Sequence, residues 1–290
     1  MILVFGATGQ IGGHVATTLI ERKVPIRVFV RNAKTARYAD LPGVEVAIGD
    51  LGKSETIERA LTGVDRIFLL STNQPNTTLL QANVVGAARR MGWSGQIVKI
   101  SGGSYIGPDS PVPIGREHWQ VERAIEESGR PYTFLRPSFF MQGVLRTIAP
   151  QVAGGGGRIR LPLRNARISM VDARDVAAVA VSTLTESGHE GKVYDVTGPE
   201  ALSHDDLAAT LGRLLARPIR YQNIPLWLFR LAARARRTPA WEVEHGAKMM
   251  SQIFVSGLGS AVTSVVADIA HKEPITFEQF AREHLAAFGG

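Results

Sequence analysis

The sequence predicts an α/β fold, a doubly wound parallel sheet with a smaller α-rich C-terminal domain. Three observations lead there. Short apolar runs rich in branched and aromatic residues alternate with segments of helical spacing through the first half of the 290-residue chain, as strands buried on both faces and their crossover helices do. The stretch GATGQIG, residues 6–12, sets three glycines three apart between the first apolar run and the first helical segment. After Pro137 the alternation loosens and helices restart behind recognisable caps.

Taken in order, Ile2–Phe5 reads as the first strand, and Ile11, Val15 and Leu19 as one face of the first helix. Ile26–Val30, Val44–Ala47, Arg66–Leu70, Ile97–Ile100 and Tyr132–Leu135 read as the next strands, with helical segments at Thr78–Met91 and Trp119–Ile125. The four glycines Gly154–Gly157 suit no regular element and read as a mobile loop or a solvent turn. Asp172 with Asp175, Ser203 with Asp206 and Thr276 with Gln279 have the spacing of helix caps. Lys192–Val196 reads as one more strand returning to the sheet. These readings divide the chain into a core of residues 1–140, joined by 190–198, and a smaller part, 141–290, packed on it.

With 44% hydrophobic and 20% charged residues the composition is that of a soluble globular protein. No apolar run approaches the ~20 residues of a membrane span, and a first strand at Ile2 leaves no room for a signal peptide. The expectation is therefore a cytoplasmic protein with no membrane partner. The absence of cysteine removes disulfides, thiolate metal sites and cysteine nucleophiles together. No GxSxG elbow, HExxH pair or GxxxxGK[ST] phosphate loop occurs, because Gly52-Lys53-Ser54 follows Ala47 where that loop needs its first glycine, and no metal site is expected. The net charge of +7 favours anionic ligands. Arg213, Arg217, Arg220, Arg230, Arg234, Arg236 and Arg237 face only Asp205 and Asp206 within residues 201–240. No recognition helix accompanies them, so direct nucleic-acid contact is not expected; the patch is a solvated face or a contact for a protein or anionic ligand.

Glycines at a strand-to-helix junction let a pyrophosphate come close to the first N–H groups of the helix, whose dipole favours negative charge. Gly6, Thr8, Gly9, Gln10 and Ile11 are therefore candidate cofactor-binding residues. At the end of the second strand, where a carboxylate accepts the ribose hydroxyls of NAD, this chain offers Arg31 and Asn32, followed by Lys34. A guanidinium suits a 2′-phosphate, which predicts NADP(H). Asp50, with Leu51 in the turn after the third strand, either meets the adenine or serves the loop itself.

At these residues the chain resembles the NmrA-like, atypical branch of the short-chain dehydrogenases. The carrying stretches are GATGQIG, Val30–Asn32, Gly49–Leu51, Glu117–Phe140 and GHEGKVYDVTGPEALSHDDLA. The likeness is nearest to that family's NADPH-dependent quinone reductases and triphenylmethane-dye reductases. The resemblance implies a Rossmann domain carrying NADP(H) over the strand ends. Ser71, Thr72, Asn73, Ser101, Gly102 and Gly103 then flank the ribose and nicotinamide, and Pro137, Ser138 and Phe139 lie on the nicotinamide side. The Tyr-x-x-x-Lys pair of conventional members falls on Ile114 and His118, so neither member is present. His118 is the candidate catalytic group, a proton or hydrogen-bond donor titrating near ~6.5 if unperturbed; alternatively it bonds ribose or caps its helix. Tyr105, Phe139, Phe140, Met141 and Trp227 are candidate walls of a pocket for a small aromatic substrate, such as a quinone, a dye or a polycyclic intermediate. The rival implication is a non-catalytic NADP(H) sensor acting through a protein partner. A monomer or homodimer fits either.

Overall fold

The computed structural model describes residues 1–32, 38, 40–71 and 77–290. Its strands are β1 (Ile2–Phe5), β2 (Ile26–Val30), β3 (Val44–Ile48), β4 (Arg66–Leu69), β5 (Gln96–Ile100), β6 (Tyr132–Pro137), β7 (Arg158–Leu161), β8 (Lys192–Val196) and β9 (Arg220–Asn223). The helices are α1 (Gln10–Glu21), α2 (Ser54–Leu61), α3 (Thr77–Arg90), α4 (Pro113–Glu127), α5 (Gln142–Thr147), α6 (Ala149–Gln151), α7 (Ala173–Thr185), α8 (His204–Leu214), α9 (Leu226–Ala235), α10 (Ala240–Lys248), α11 (Val265–Ala270) and α12 (Phe277–Glu283). Among the described residues seven strands form one parallel sheet in the order β3-β2-β1-β4-β5-β6-β8. This is the doubly wound arrangement, and its strand order reverses between β1 and β4.

Successive strand residues point to opposite faces, and the core follows that rule. Ile2 and Val4 of β1, with Val28, Phe68 and Val98, pack beneath α1 and α7. Leu3 and Phe5, with Phe29, Ile67 and Ile97, pack beneath α2, α3 and α4. The sheet layer thus draws on residues well past 140, since α7 covers it beside α1. A second core joins α5, β7, α8 and α12 through Val144, Ile148, Ile159, Leu207 and Phe280.

One expectation about this second region is corrected, and one element is new. Gly154–Gly157 is no irregular loop, because Val152–Gly156 forms a π-helical turn continuing α6, closed by Gly157 at φ +53°. Wide-turn geometry is tolerated there because the segment carries almost no side chains. The two-stranded parallel sheet of β7 and β9, paired Arg158 to Arg220 through Leu161 to Asn223, was not expected. Its strands alternate arginines and polar residues with single apolar ones and find their partner about sixty residues away. The helix caps are present at Asp172, Ser203 and Thr276, although Asp172 accepts from Arg174 N rather than pairing with Asp175.

Candidate functional site

The glycine turn stands at the point where strand order reverses. Gly6 turns the chain with φ +75°, and the Gly9 amide donates to Gly6 O at 2.9 Å. Gly9 is the N-cap of α1, and among the described residues no side chain caps that helix; its first turn holds no acid either. A Cβ on Gly12 would lie 2.2 Å from Gly6 O, so the glycine lets α1 sit directly on the turn. The result is a free, positively polarised helix terminus at the sheet crevice, a site suited to an anion.

From this turn a cleft of about 1910 Å³ runs across the carboxyl ends of β4, β5 and β6. It continues into a chamber walled by α5, β7, α9 and α10. Thr8, Gly9, Gln10 and Ile11 line its beginning, Ser71, Ser101, Gly102, Pro137 and Ser138 its middle, and Tyr105, Phe139 and Phe140 its far wall. Ser71 Oγ accepts from Gln81 Nε2 at 2.9 Å. Phe139 meets Phe254 edge-on, with ring centroids 5.4 Å apart. Burial pushes the Tyr105 phenol up to about 12, so it stays protonated.

Other candidates stand elsewhere. Met141 is corrected to a core residue: at 1% exposure it packs with Val144 and Ile148 and lines no part of the cleft. Trp227 is likewise corrected. It is 64% exposed on the outer side of α9, whereas the next residues of the helix, Leu228 and Phe229, reach the cleft. One position on a helix turns a side chain by about 100°, and the sequence does not reveal which phase faces inward. Arg31 and Asn32 are exposed at the end of β2, outside the cleft wall. Asp50 is engaged in its own loop, its Oδ1 accepting from Gly52 N at 2.8 Å, and Leu51 O accepts from Asn83 Nδ2 at 2.9 Å. Lys34, Thr72 and Asn73 lie outside the described residues. Among the described residues no three His, Asp or Glu side chains gather as a metal site.

The sequence reading missed a polar cluster beneath α4. On β5, Lys99 shares the face of Ile97 and therefore points at α4, not at α1. His118 and Glu122 stand four apart on α4 and so share the face that meets it. Arg136 lies two residues beyond Phe134, the β6 partner of Lys99, and so belongs to the same face. Lys99 Nζ contacts Ile100 O at 3.2 Å, Ser101 Oγ at 2.9 Å and His118 Nδ1 at 2.9 Å. Arg136 grips Glu122 with two bonds, Nε to Oε1 at 3.1 Å and Nη2 to Oε2 at 2.5 Å. Burial, partly offset by the Glu122 charge, brings the Lys99 ammonium down to about 7. Burial and the neighbouring Lys99 hold the His118 imidazole well below its ordinary value. Titration near neutrality, expected of His118, is thereby corrected, and the ring is neutral at pH 7. A lysine interrupting the apolar run of a central strand was the available signal.

Fold and cleft together define a Rossmann-type α/β protein with a glycine turn at the crevice and a second, largely apolar chamber beyond it. The chain belongs to the NmrA-like family, whose model matches residues 1–281. It is 38% identical to an NAD(P)H azoreductase of Xenophilus azovorans, over 100% of this chain and 99% of that one. The NADPH-dependent quinone oxidoreductase of Escherichia coli, solved with NADPH, superposes with a TM-score of 0.90 at 27% identity, over 99% of this chain and 100% of that chain. The Citrobacter sp. triphenylmethane reductase, solved with NADP(H), gives a TM-score of 0.87 at 26% identity, over 98% of this chain and 99% of that chain. Among the described residues no helix is long and apolar enough to cross a membrane.

Proposed function

We propose that this protein is an NADPH-dependent reductase of flat conjugated acceptors such as quinones and azo or triphenylmethane dyes. The observation that carries the reading is the single cleft joining an uncapped helix N-terminus to an aromatic chamber, with His118 on its wall between them. Full-length relatives with reductase names support it. The site fits a dinucleotide: Gly6, Thr8, Gly9, Gln10 and Ile11 would hold the diphosphate, and Arg31 with Asn32 a 2′-phosphate. Asp50 and Leu51 would border the adenine, Ser71 and Thr72 the ribose, and Ser101, Gly102, Pro137 and Phe139 the nicotinamide. When bound, the nicotinamide supplies the hydride. In this assignment residues 1–140 with 190–198 carry the cofactor, and 141–290 supplies most of the acceptor chamber.

The chain's own part is to orient and to exclude water. Tyr105, Phe139, Phe140 and Phe254 provide flat apolar walls for the acceptor. His118, neutral at pH 7, offers a hydrogen bond rather than a full charge. A delocalised acceptor requires no stronger acid, because the incoming negative charge spreads over its π system. Arg146, Arg158 and Arg236 line the chamber without any side-chain partner among the described residues. Their charge favours acceptors bearing a sulfonate, carboxylate or phosphate.

The test is NADPH consumption, followed at the nicotinamide absorbance, with quinones, azo dyes and enones in sulfonated and neutral pairs. Turnover is expected, with lower KM for the sulfonated partner at low salt and a smaller difference at high salt. Silence across the panel despite tight NADPH binding would overturn the reading. Separately, Arg31→Ala is expected to weaken NADPH binding about tenfold or more, as loss of a charge-assisted phosphate contact does. Titration with NADH should show no change; equal losses for both coenzymes would remove Arg31 from the 2′-phosphate site.

A further inference from the structure

We propose that Lys99 is the positioning residue of this site: it fixes His118 as the tautomer with the proton on Nε2 and so aims one N–H donor into the cleft. The inference goes beyond the reductase reading and rests on it only for its kinetic arm. Lys99 itself lines no part of the cleft, is fully buried, and reaches three atoms within hydrogen-bond distance. An ammonium has three donors and no acceptor. Ile100 O, Ser101 Oγ and His118 Nδ1 match those three donors one for one, so Nδ1 must accept and the ring proton must sit on Nε2. The opposite ring edge is turned to the cleft. His118 Cδ2, the neighbour of Nε2, lies 3.2 Å from a Cβ built on cleft-lining Gly102, and the Tyr105 hydroxyl lies 2.9 Å from the same point. The same pairing excludes an imidazolium, since a protonated Nδ1 would point its hydrogen at an ammonium. Glu122, paired with Arg136, supplies negative charge that favours the ammonium against burial, so that this form prevails below about pH 7.

The experiment needs no bound coenzyme for its first arm. Two-bond nitrogen–proton NMR correlations of the ¹⁵N-labelled protein, recorded at least about one pH unit below the Lys99 value of about 7 so that the lysine is an ammonium, should show His118 with a proton-bearing Nε2 and an unprotonated Nδ1. The opposite tautomer, or averaged shifts of two, would overturn the proposal. Lys99→Met removes the donor. It should give averaged tautomers and lower kcat about tenfold to a hundredfold, the usual range for losing the group that orients a functional histidine, with KM for NADPH unchanged. A single retained Nε2–H tautomer in Lys99→Met would equally overturn it. Because the chain contains no cysteine, Lys99→Cys alkylated with 2-bromoethylamine in denaturant and refolded places an ammonium back at this position alone. Recovery of the single tautomer and of kcat is expected, and recovery of fold without the tautomer would count against the proposal. Should no acceptor be turned over, the reductase reading fails while the tautomer result stands by itself.

Discussion

Gly12→Ala is expected to weaken NADPH binding at least about a hundredfold, a loss of roughly 2.7 kcal/mol. The new Cβ would lie 2.2 Å from Gly6 O, 2.5 Å from Gly6 C and 3.0 Å from Ala7 N, all backbone atoms of the turn. No rotamer change relieves a backbone clash, so α1 must move off the turn and its first N–H groups leave the crevice. Overpacking of this kind costs about 1–3 kcal/mol of stability as well, so a lower melting temperature should accompany the lost affinity. Gly9→Ala separates the two effects. Its Cβ meets only Gly6 O, at an ordinary 3.4 Å, and its φ of −88° suits any residue. The fold should keep its melting temperature, while the methyl stands where the diphosphate approaches and affinity falls. Isothermal calorimetry with NADPH, paired with thermal melts, reads both. Native affinity in Gly12→Ala would show that this turn holds no diphosphate.

That glycine constraint was visible in the sequence because it is local: a strand, a turn and a helix within twenty residues. The sheet was legible for a similar reason, since strands such as Ile2–Phe5 and Ile26–Val30, apolar at most positions, admit few other readings. The start of α4 at Pro113, six residues before the expected Trp119, was hidden because Val112 offers no capping side chain. Lys99 was hidden by the opposite effect. In a run read as buried strand, one charged residue passes for an edge irregularity, and its meaning appears only when the topology brings α4 and β6 over it. Met141 and Trp227 failed through rotational phase, which depends on packing between distant segments. His118 lines the cleft, but its protonation depends on a neighbour nineteen residues away that spacing alone does not connect to it.

Glu122→Ala is expected to destabilise the protein by about 3–5 kcal/mol, the usual result of removing one partner of a buried ion pair. For a chain of this length that is a melting temperature lower by roughly 5–8 °C. Glu122 is fully buried and faces two cations: Arg136, which it binds through both carboxylate oxygens, and Lys99, whose charge it sustains. Replacing both members of the pair, as Glu122→Met with Arg136→Met, should recover part of the Arg136 share, because no unpaired guanidinium remains. The Lys99 share has its own pH signature. In the native protein the ammonium titrates at about 7, against 10.5 when unperturbed, so the unfolded chain binds more protons between those values and stability rises with pH across that window. Without Glu122 the folded-state value drops further. Above about pH 7 the folded lysine is then neutral in both proteins, and only the Arg136 loss separates them. Below it the native protein keeps its ammonium at less cost than the variant, so the gap in stability must widen as pH falls. Thermal melts on the two sides of neutrality measure this directly, and an unchanging gap would mean that Glu122 does not hold the Lys99 charge on which the His118 tautomer depends.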